Sequence, residues 1–350
     1  MVASIINKNE KMKKVIVFGA TGNLGAYITI YLKSVGYDVI AVGHRKDDNG
    51  FFASRGMKYY SVDITKPEEF EQLPTENIYC VAHFAGELPS RYSFHASDLV
   101  QSITIGTLNV LEYMRSCGCK KIIFPQTPSD MCQYHNNGSV IPVDAPRHFP
   151  LTGDHSIYTI AKNAAVDLIE HYHAEYGFSR FILRFFTIYQ YHPNAYHYRD
   201  FQFHLMPYRM LMDRASKSLP IEVWGNCKKA KEMVYIKDFV RVVEKCVSSP
   251  LEGGMYNVGN GWQVSLEEQI KGIIEVFSPK DNPSKIIYCP EKSDPLENAF
   301  DVSKTFSELD YKPEFSYIDQ LRDFKKEMEE EPMAQLWGVK TDYPKNCKNK

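Results

Sequence analysis

The sequence has little of what would mark a nucleic-acid-binding, secreted or membrane-embedded protein. Its formal net charge is only -2, so it lacks the excess of lysine and arginine that nucleic-acid binding needs. The opening MVASIINKNEKMKK has no sustained apolar segment with a small-residue cleavage site, and no run of about 18 apolar residues follows. We therefore expect a soluble cytoplasmic protein with a small-molecule partner, no nucleic acid and no membrane association.

The cysteines are too scattered to indicate a disulfide framework or a metal centre. Eight occur in 350 residues, and Cys117 and Cys119 have neither zinc-ribbon spacing nor a matching second pair. An aromatic-rich run also contains His192, His197 and His204, spaced by five and seven residues without accompanying acids or cysteines. Such spacings do not form a compact ligand set. We predict no metal site and interpret this run as a loop of a substrate-binding lobe.

What the sequence does contain is an alternation of short apolar runs with segments of helix length. From residue 14, KVIVFGA, YDVIAVG, IYCVAHFAG, KKIIFPQ and SRFILRFF are separated by such segments. Strands that are apolar on both faces and joined by helical crossovers indicate a parallel sheet covered by helices on each side. The predicted fold class is α/β, with a doubly wound parallel sheet.

The alternation stops near Thr187, which predicts a division of the chain. We expect a first domain over residues 1–187 that also receives a strand near 254–260. Residues 188–330 are then mostly a smaller mixed lobe that binds substrate, and residues 331–350 a frayed C-terminal tail. One helix of the lobe is marked by Ser265 and Glu268, which are spaced as a capping box.

A glycine-rich turn follows the first predicted strand. VIVFGATGNLG places its glycines three residues apart between a strand and a helix. Glycine lets the backbone turn tightly and approach a diphosphate, and the helix N-terminus supplies unpaired N–H groups. This order of elements is that of a Rossmann dinucleotide site. The residues predicted to bind the cofactor here are Gly19, Thr21, Gly22, Asn23, Leu24 and Gly25.

The end of the second strand indicates which dinucleotide binds. NAD enzymes usually place Asp or Glu there for the adenosine ribose, whereas VIAVGHRK puts Gly43 at that position and basic residues after it. Guanidinium and ammonium groups suit a 2′-phosphate. We predict that NADP(H) is favoured over NAD(H), with His44 and Arg45 in contact with it. The alternative is that Arg45 and Lys46 are the solvated start of a loop.

HSIYTIAKNAAVDLI contains a tyrosine and a lysine four residues apart. On a helix, Tyr158 and Lys162 would lie one turn apart on the same face and could act on one reacting atom. The same spacing also occurs on surface helices without catalytic roles. The dinucleotide loop upstream makes the catalytic interpretation the stronger one here. We expect Tyr158 to be a general acid/base, because an adjacent ammonium and a positive nicotinamide both favour the phenolate.

Taken in order, these motifs resemble those of the extended short-chain dehydrogenase/reductases, and more narrowly the NAD(P)-dependent epimerase/dehydratase family that acts on nucleotide sugars. The resemblance rests on the glycine loop, VDI, HFAG, IGTLNVLEYM and the Tyr158–Lys162 pair, and covers residues 13 to 325 or so. It implies a Rossmann domain, an NAD(P)-dependent oxidoreductase or isomerase of carbohydrate biosynthesis, and a homodimer formed through the helices that carry IGTLNVLEYM and Tyr158.

The resemblance also assigns site residues. Thr127 would complete the catalytic set by fixing the reacting oxygen, and Lys162 would also hold the nicotinamide ribose. Further cofactor contacts are implied for Asp63, Ile64, Phe84, Ala85, Gly86 and Phe185. The residues predicted to bind substrate are Glu87, Thr127, Thr187 and Lys231. Lys231 stands where the family often has Arg; the alternative is a solvated lysine in a lysine-rich loop.

Departures from the family pattern leave the reaction open. Ile103 and Thr187 replace expected asparagines, and Glu291 replaces an arginine that often clamps the substrate diphosphate. Pro128 and Ser129 stand where dehydratases have Asp-Glu, so we do not expect dehydration. We rank an epimerase first and an NADPH-dependent 4-ketosugar reductase second. A non-catalytic redox sensor is the alternative of another class, and retention of the whole catalytic set argues against it.

Overall fold

The computed structural model describes residues 12–89, 95–153, 155–199 and 202–343. Its strands in chain order are β1 Lys14–Phe18, β2 Asp38–Gly43, β3 Lys58–Ser61, β4 Ile78–His83, β5 Lys121–Gln126, β6 Val140–Ile141, β7 Ser179–Phe185, β8 Ile188–Tyr189, β9 Tyr196–Arg199, β10 Gln202–Leu205, β11 Ile221–Trp224, β12 Ala230–Lys231, β13 Val234–Tyr235, β14 Gly253–Val258, β15 Val264–Ser265, β16 Ile286–Cys289 and β17 Ala299–Phe300.

The helices alternate with these strands through the first half of the chain and dominate its end. In chain order they are α1 Asn23–Ser34, α2 Ala96–Leu99, α3 Gly106–Ser116, α4 Ser156–Tyr176, α5 Pro207–Ser216, α6 Ile236–Ser248, α7 Leu266–Phe277, α8 Ser303–Glu308, α9 Tyr317–Glu330 and α10 Ala334–Trp337. A π-helical segment, Val100–Ile105, joins α2 to α3. Over the described ranges, none of the helices combines the length and apolar character needed to span a membrane.

A seven-stranded sheet lies at the centre, in the order β14-β7-β5-β4-β1-β2-β3, with every neighbouring pair parallel. Successive side chains of a strand point to opposite faces. Val15 and Val17 accordingly pack in one apolar cluster with α1 and α6, and Ile16 and Phe18 pack in a second with α3 and α4. Helices therefore cover both faces, which confirms the predicted doubly wound α/β fold.

The order of the strands in the sheet indicates where the ligand site lies. β2 and β3 lie on one side of β1, while β4, β5 and β7 lie on the other, so the direction of winding reverses beside β1. In open parallel sheets, ligands bind at such a reversal, outside the carboxyl ends of the strands. The glycine loop and the residues that follow β2, β4, β5 and β7 all lie at this edge.

Most of the chain beyond β7 forms short pairings outside the central sheet. These are β13 with β8, β9 with β10, β11 with β16, β12 with β15, and β17 with β6. β14 is the exception, because it lies beside β7 at the sheet edge, with Tyr256 opposite Leu183. The predicted capping box is confirmed at α7: the Ser265 hydroxyl accepts from the Glu268 N–H at 3.2 Å, and the Glu268 carboxylate from the Ser265 N–H at 2.9 Å.

The C-terminal region differs from the frayed tail that we expected. As far as Tyr343 it lies against the body of the protein, with Leu336 and Trp337 only 1% and 4% exposed. The Trp337 indole N–H donates to the Thr21 carbonyl at 3.0 Å, and the Tyr343 hydroxyl donates to the Trp337 carbonyl at 2.8 Å. Burial of two large apolar side chains orders this segment; residues 344–350 lie outside the described part.

Candidate active site

The glycine loop is packed too closely for side chains. A Cβ on Gly19, whose φ is +82°, would lie 2.7 Å from the Phe84 carbonyl and the Ala85 nitrogen. A Cβ on Gly25 would lie 2.0 Å from the Gly19 carbonyl oxygen, and the Gly22 N–H donates to that oxygen at 2.8 Å. The turn therefore requires glycine at positions 19 and 25, as the sequence pattern predicts.

The start of α1 suits an anion. Gly22 is the N-cap residue and contributes no side-chain cap, and the first turn contains no acidic residue. The first N–H groups of a helix have no partner inside the helix, and the helix dipole adds positive potential there. Asn23 and Leu24 begin this turn. The loop and the helix start thus fit a dinucleotide diphosphate, and a bound nicotinamide dinucleotide would supply hydride chemistry at this edge.

Alanine at position 25 should disrupt this loop. Because the added Cβ would collide with the Gly19 carbonyl, we expect Gly25→Ala to weaken dinucleotide binding by tenfold or more, which is about 1.4 kcal/mol or more. Calorimetric titration of the purified variant measures this, and its circular dichroism spectrum checks that it is folded. Unchanged affinity in a folded variant would show that the dinucleotide does not depend on this turn.

The carboxyl end of β2, where a typical NAD site has an acidic residue, is closely packed around Gly43. A Cβ on Gly43 would lie 2.8 Å from the Thr21 hydroxyl oxygen and 3.0 Å from the Tyr59 hydroxyl. His44 and Arg45 follow and are exposed. The Arg45 guanidinium nevertheless has a partner, because its Nη1 donates to the Leu336 carbonyl at 2.7 Å. This contact was not evident from the sequence.

The residues predicted to line the rest of the cofactor site lie on neighbouring strand ends. Phe84, after β4, and Phe185, at the end of β7, both pack against the Phe239 ring, at 6.1 and 4.8 Å between centroids. Ala85 and Gly86 follow Phe84, and Gly86 has a φ of +149°. The structure therefore brings the β4 and β7 contributions together.

Asp63 and Ile64 follow β3 at the same edge. The Asp63 carboxylate accepts from the Thr65 N–H and hydroxyl, at 3.0 and 2.8 Å, and so orders its own turn. Ile64 is buried, and its Cδ1 would lie 2.6 Å from a Cβ on Gly106. The Ile64 carbonyl accepts from the Asn109 side chain at 2.9 Å. This turn is thereby attached to α3.

Tyr158 and Lys162 lie on the first turns of α4. The Lys162 ammonium is buried, donates to the Pro125 carbonyl at 2.9 Å and lies 5.9 Å from the Tyr158 ring centroid. Burial lowers the pKa of Lys162 to about 7 and raises the pKa of Tyr158 above its usual value. Desolvation penalises charge, so burial alone favours the neutral phenol; the phenolate expected beside Lys162 and a positive nicotinamide stays a prediction.

Thr127 lies at the end of β5, two residues from the carbonyl that Lys162 contacts. Its hydroxyl oxygen accepts from the Ser129 N–H at 3.2 Å, and the side chain is 6% exposed. Accepting this bond leaves the hydroxyl proton available to donate. The polypeptide thus brings the three predicted catalytic residues to one region, with Pro125 as the link between α4 and the end of β5.

Two buried amides strengthen this link and were missed in the sequence. Gln126 Oε1 accepts from the Thr127 N–H at 2.8 Å, and its Nε2 donates to Asn163 Oδ1 at 2.9 Å. Asn163 is the residue after Lys162 on α4. A polar residue at the end of an apolar strand is the signal that could have identified Gln126.

An ion pair lies behind Thr127. Arg184 on β7 and Asp130 are 3% and 0% exposed, and Arg184 Nη2 is 2.9 Å from Asp130 Oδ2. Arg184 also donates to the Val143 carbonyl at 3.2 Å and to Asn257 Oδ1 at 3.3 Å. These contacts join β7, β14 and the turn after Thr127.

The residues predicted to bind substrate are spread over different elements. Glu87 and Thr187 are exposed, and the Glu87 N–H donates to the Ser102 hydroxyl at 3.1 Å. Lys231 is half-buried, with its ammonium 5.8 Å from the Tyr189 ring centroid. Their roles in substrate binding remain predictions.

The histidines of the aromatic run have packing roles. The His192 ring lies 4.5 Å from the Trp337 ring, and His197 of β9 lies 5.8 Å from His204 of β10, its opposite residue in the hairpin. Within the described ranges, no group of three or more His, Cys, Asp or Glu side chains is placed to hold a metal ion.

Similar proteins were found for most of the chain. It is 26% identical to UDP-glucuronate 4-epimerase of Thermodesulfobacterium geofontis (strain OPF15), over 88% of this chain and 93% of the relative. It is 24% identical to UDP-glucose 4-epimerase 2 of Oryza sativa subsp. japonica, over 89% and 81%. These proteins resemble the chain in sequence along nearly their full lengths.

Solved structures share the fold. UDP-glucose 4-epimerase of Thermotoga maritima, crystallised with UDP-glucose, superposes with a TM-score of 0.71 at 20% identity, over 91% of this chain and 99% of that one. UDP-glucuronic acid 4-epimerase of Bacillus cereus, in complex with NAD, gives 0.67 at 20% identity, over 90% and 99%. The model of the NAD dependent epimerase/dehydratase family matches residues 15–259. The chain belongs to this family and is thus an enzyme of the extended short-chain dehydrogenase/reductase type.

Proposed function

We propose that the protein is a nucleotide-sugar epimerase, in which Tyr158 is the acid/base for hydride transfer at a sugar ring carbon. The observation that carries the proposal is the convergence of α4 and the end of β5, where Lys162 contacts the Pro125 carbonyl two residues before Thr127. The convergence lies at the strand edge that also holds the glycine loop. The relatives named above act on UDP-sugars, which supports a nucleotide sugar as the substrate class.

In the proposed mechanism Tyr158 and Thr127 act on the oxygen of the reacting carbon, and Lys162 acts on Tyr158. Tyr158 Oη takes the hydroxyl proton as the carbon is oxidised and returns it when the ketone is reduced on the opposite face of the ring. The Thr127 hydroxyl donates a hydrogen bond to the same oxygen. The Lys162 ammonium, held by Pro125, supplies positive potential when the phenol loses its proton. Burial raises the pKa of the Tyr158 phenol, so the positive charges of Lys162 and of a bound nicotinamide would be needed to favour the phenolate in the oxidising step.

The cofactor preference, the roles of the two parts of the chain and the oligomeric state are also proposals. NADP(H) is favoured over NAD(H), because Gly43 has no carboxylate and exposed His44 and Arg45 follow it. The dinucleotide is bound by residues 1–187 with the strand at 253–258, and substrate mostly by residues 188–330. The proposed assembly is a homodimer through α3 and α4, which light scattering would detect as twice the mass of one chain. A cytoplasmic role in carbohydrate biosynthesis completes the proposal.

A product assay tests the function. The purified protein is incubated with UDP-glucose, UDP-glucuronate and 4-ketosugar nucleotides, each with and without added NADPH, and the sugars are separated by chromatography. A new epimer without net cofactor consumption is the expected result. Stoichiometric loss of NADPH would instead identify the protein as a 4-ketosugar reductase. The basic residues after β2 favour this second candidate, because they suit NADPH. Cofactor binding with no turnover of any sugar would favour the redox sensor.

Lys162 gives the stability of the protein a specific pH dependence. Its folded pKa of about 7 lies below the ordinary 10.5, so between these values the unfolded chain binds more protons and the free energy of unfolding rises with pH. We expect wild-type stability to rise relative to Lys162→Met between pH 6.5 and 9.5. Urea denaturation of both proteins across this range measures the difference, and parallel pH profiles would show that Lys162 is not a desolvated ammonium.

A further inference from the structure

The four residues of α10, Ala334–Trp337, contact the glycine loop and the segment after β2, where we expect the adenosine end of the dinucleotide; we call them the C-terminal strap. One end of the strap contacts the glycine loop, where the Trp337 indole N–H donates to the Thr21 carbonyl at 3.0 Å. The preceding carbonyl, that of Leu336, accepts from Arg45 at 2.7 Å. The strap therefore touches both segments expected to surround the adenosine ribose.

A second pair of contacts attaches the strap to the loop after β2. Gln335 Nε2 donates to the Asn49 carbonyl at 2.8 Å, and Asn49 Nδ2 donates to the Gln335 carbonyl at 3.0 Å. Three successive strap residues thus contact residues 21, 45 and 49 of the nucleotide domain. This arrangement is more specific than burial of one apolar side chain would require.

The strap is itself anchored by its flanking residues. The Glu331 carboxylate accepts from the Tyr191 hydroxyl and from the Lys340 N–H, both at 2.8 Å. Nearby, the Tyr27 hydroxyl of α1 donates to Glu327 at 2.6 Å. Because both ends are attached, the Leu336 carbonyl has a defined position relative to the glycine loop.

Arginine has five N–H donors in a planar fork. The bond to Leu336 uses one of them and orients the plane of the guanidinium, while the exposed remainder can donate to a phosphate. Ordering a side chain before ligand binding removes part of the entropic cost of binding. Gly43 is consistent with this role of Arg45, because the end of β2 carries no carboxylate that would repel a 2′-phosphate, and a Cβ there would require the Thr21 and Tyr59 side chains to shift.

From these contacts we propose that the C-terminal strap orients Arg45 toward a 2′-phosphate and is thereby a determinant of NADP(H) preference. The proposal rests on the NADP(H) preference stated under the proposed function and adds residues far along the chain to the site. The 2′-phosphate is the chemical group that distinguishes the two dinucleotides, so the strap should affect one and not the other.

Binding of NADP+ and NAD+ is measured by isothermal titration calorimetry on the full chain and on variants. Arg45→Met should weaken NADP+ binding by about tenfold or more and leave NAD+ binding unchanged. Trp337→Phe keeps an aromatic ring but removes the bond to Thr21, and should weaken NADP+ binding by about three- to tenfold. Gln335→Ala, at an exposed position, should also weaken NADP+ binding. The double variant of Arg45 and Trp337 should match Arg45→Met alone, because the strap acts through Arg45.

Trp224→Phe is the matched control, since Trp224 also donates its indole N–H, to Glu222 at 2.8 Å, but on β11. It should leave both affinities unchanged. If the wild-type chain does not bind NADP+ more tightly than NAD+, the NADP(H) preference itself is wrong. If it does, but Arg45→Met alters the two affinities equally or not at all, Arg45 does not contact the 2′-phosphate and the proposal is overturned. If Arg45→Met is selective, but Trp337→Phe and Gln335→Ala are silent or weaken both dinucleotides equally, the role of the strap is overturned and the cofactor preference stands.

Discussion

Tyr158→Phe is expected to lower turnover by about 10³-fold while the dinucleotide remains bound. The substitution removes only the hydroxyl, and general acid–base catalysis by a positioned group contributes about 10²- to 10⁴-fold. The ring is held on α4 beside Lys162, so the shape of the site should be unchanged. Steady-state kinetics with the active sugar and calorimetry with the dinucleotide separate the catalytic step from binding.

Tyr176→Phe provides the control on the same helix. Tyr176 is 38% exposed at the far end of α4, and its substitution should leave turnover unchanged. A Tyr158→Phe variant with wild-type activity would exclude the phenol as the acid/base. Loss of dinucleotide binding together with activity would instead indicate that the hydroxyl supports the site rather than the chemistry.

Arg184→Met should have the largest effect on stability, a loss of about 3–5 kcal/mol in the free energy of unfolding. Asp130 is fully buried and has its ion pair with Arg184. Without the guanidinium, the carboxylate is left as a buried charge, or must take up a proton. Either outcome destabilises the folded state, which urea denaturation near neutral pH would measure.

Two comparisons show whether the buried charge is the cause. Arg147→Met breaks an exposed pair with Asp167, whose side chains are 36% and 63% exposed, and should cost about 0–1 kcal/mol. Combining Arg184→Met with Asp130→Leu removes both charges and should restore most of the lost stability. If the double variant is no more stable than Arg184→Met, loss of packing around Arg184 explains the effect better than charge.

The fold and the nucleotide loop were predictable because their causes are local in sequence. The strand–glycine–helix order depends on consecutive residues, and a Cβ on Gly25 is excluded by the carbonyl of Gly19, only six positions away. The capping box of α7 likewise lies within four residues, Ser265 to Glu268. Continuous apolar strands identified a sheet covered on both faces for the same reason.

The surroundings of the site were not predictable, because they depend on contacts between distant segments. The close packing around Gly43 involves Thr21 and Tyr59, and the partner of Arg45 is the backbone carbonyl of Leu336. AQLW is too short to show helical periodicity. The pKa values of Tyr158 and Lys162 depend on burial, which the spacing of two residues does not reveal.

The bond between Trp337 and Thr21 spans 316 positions of the chain, and this separation matters during synthesis. A ribosome translates from the N-terminus, and domains fold as their residues emerge. The glycine turn and the strands of the sheet are therefore made long before the indole that covers them. Folding around the glycine turn can therefore begin before the segment that contacts Thr21 has been translated.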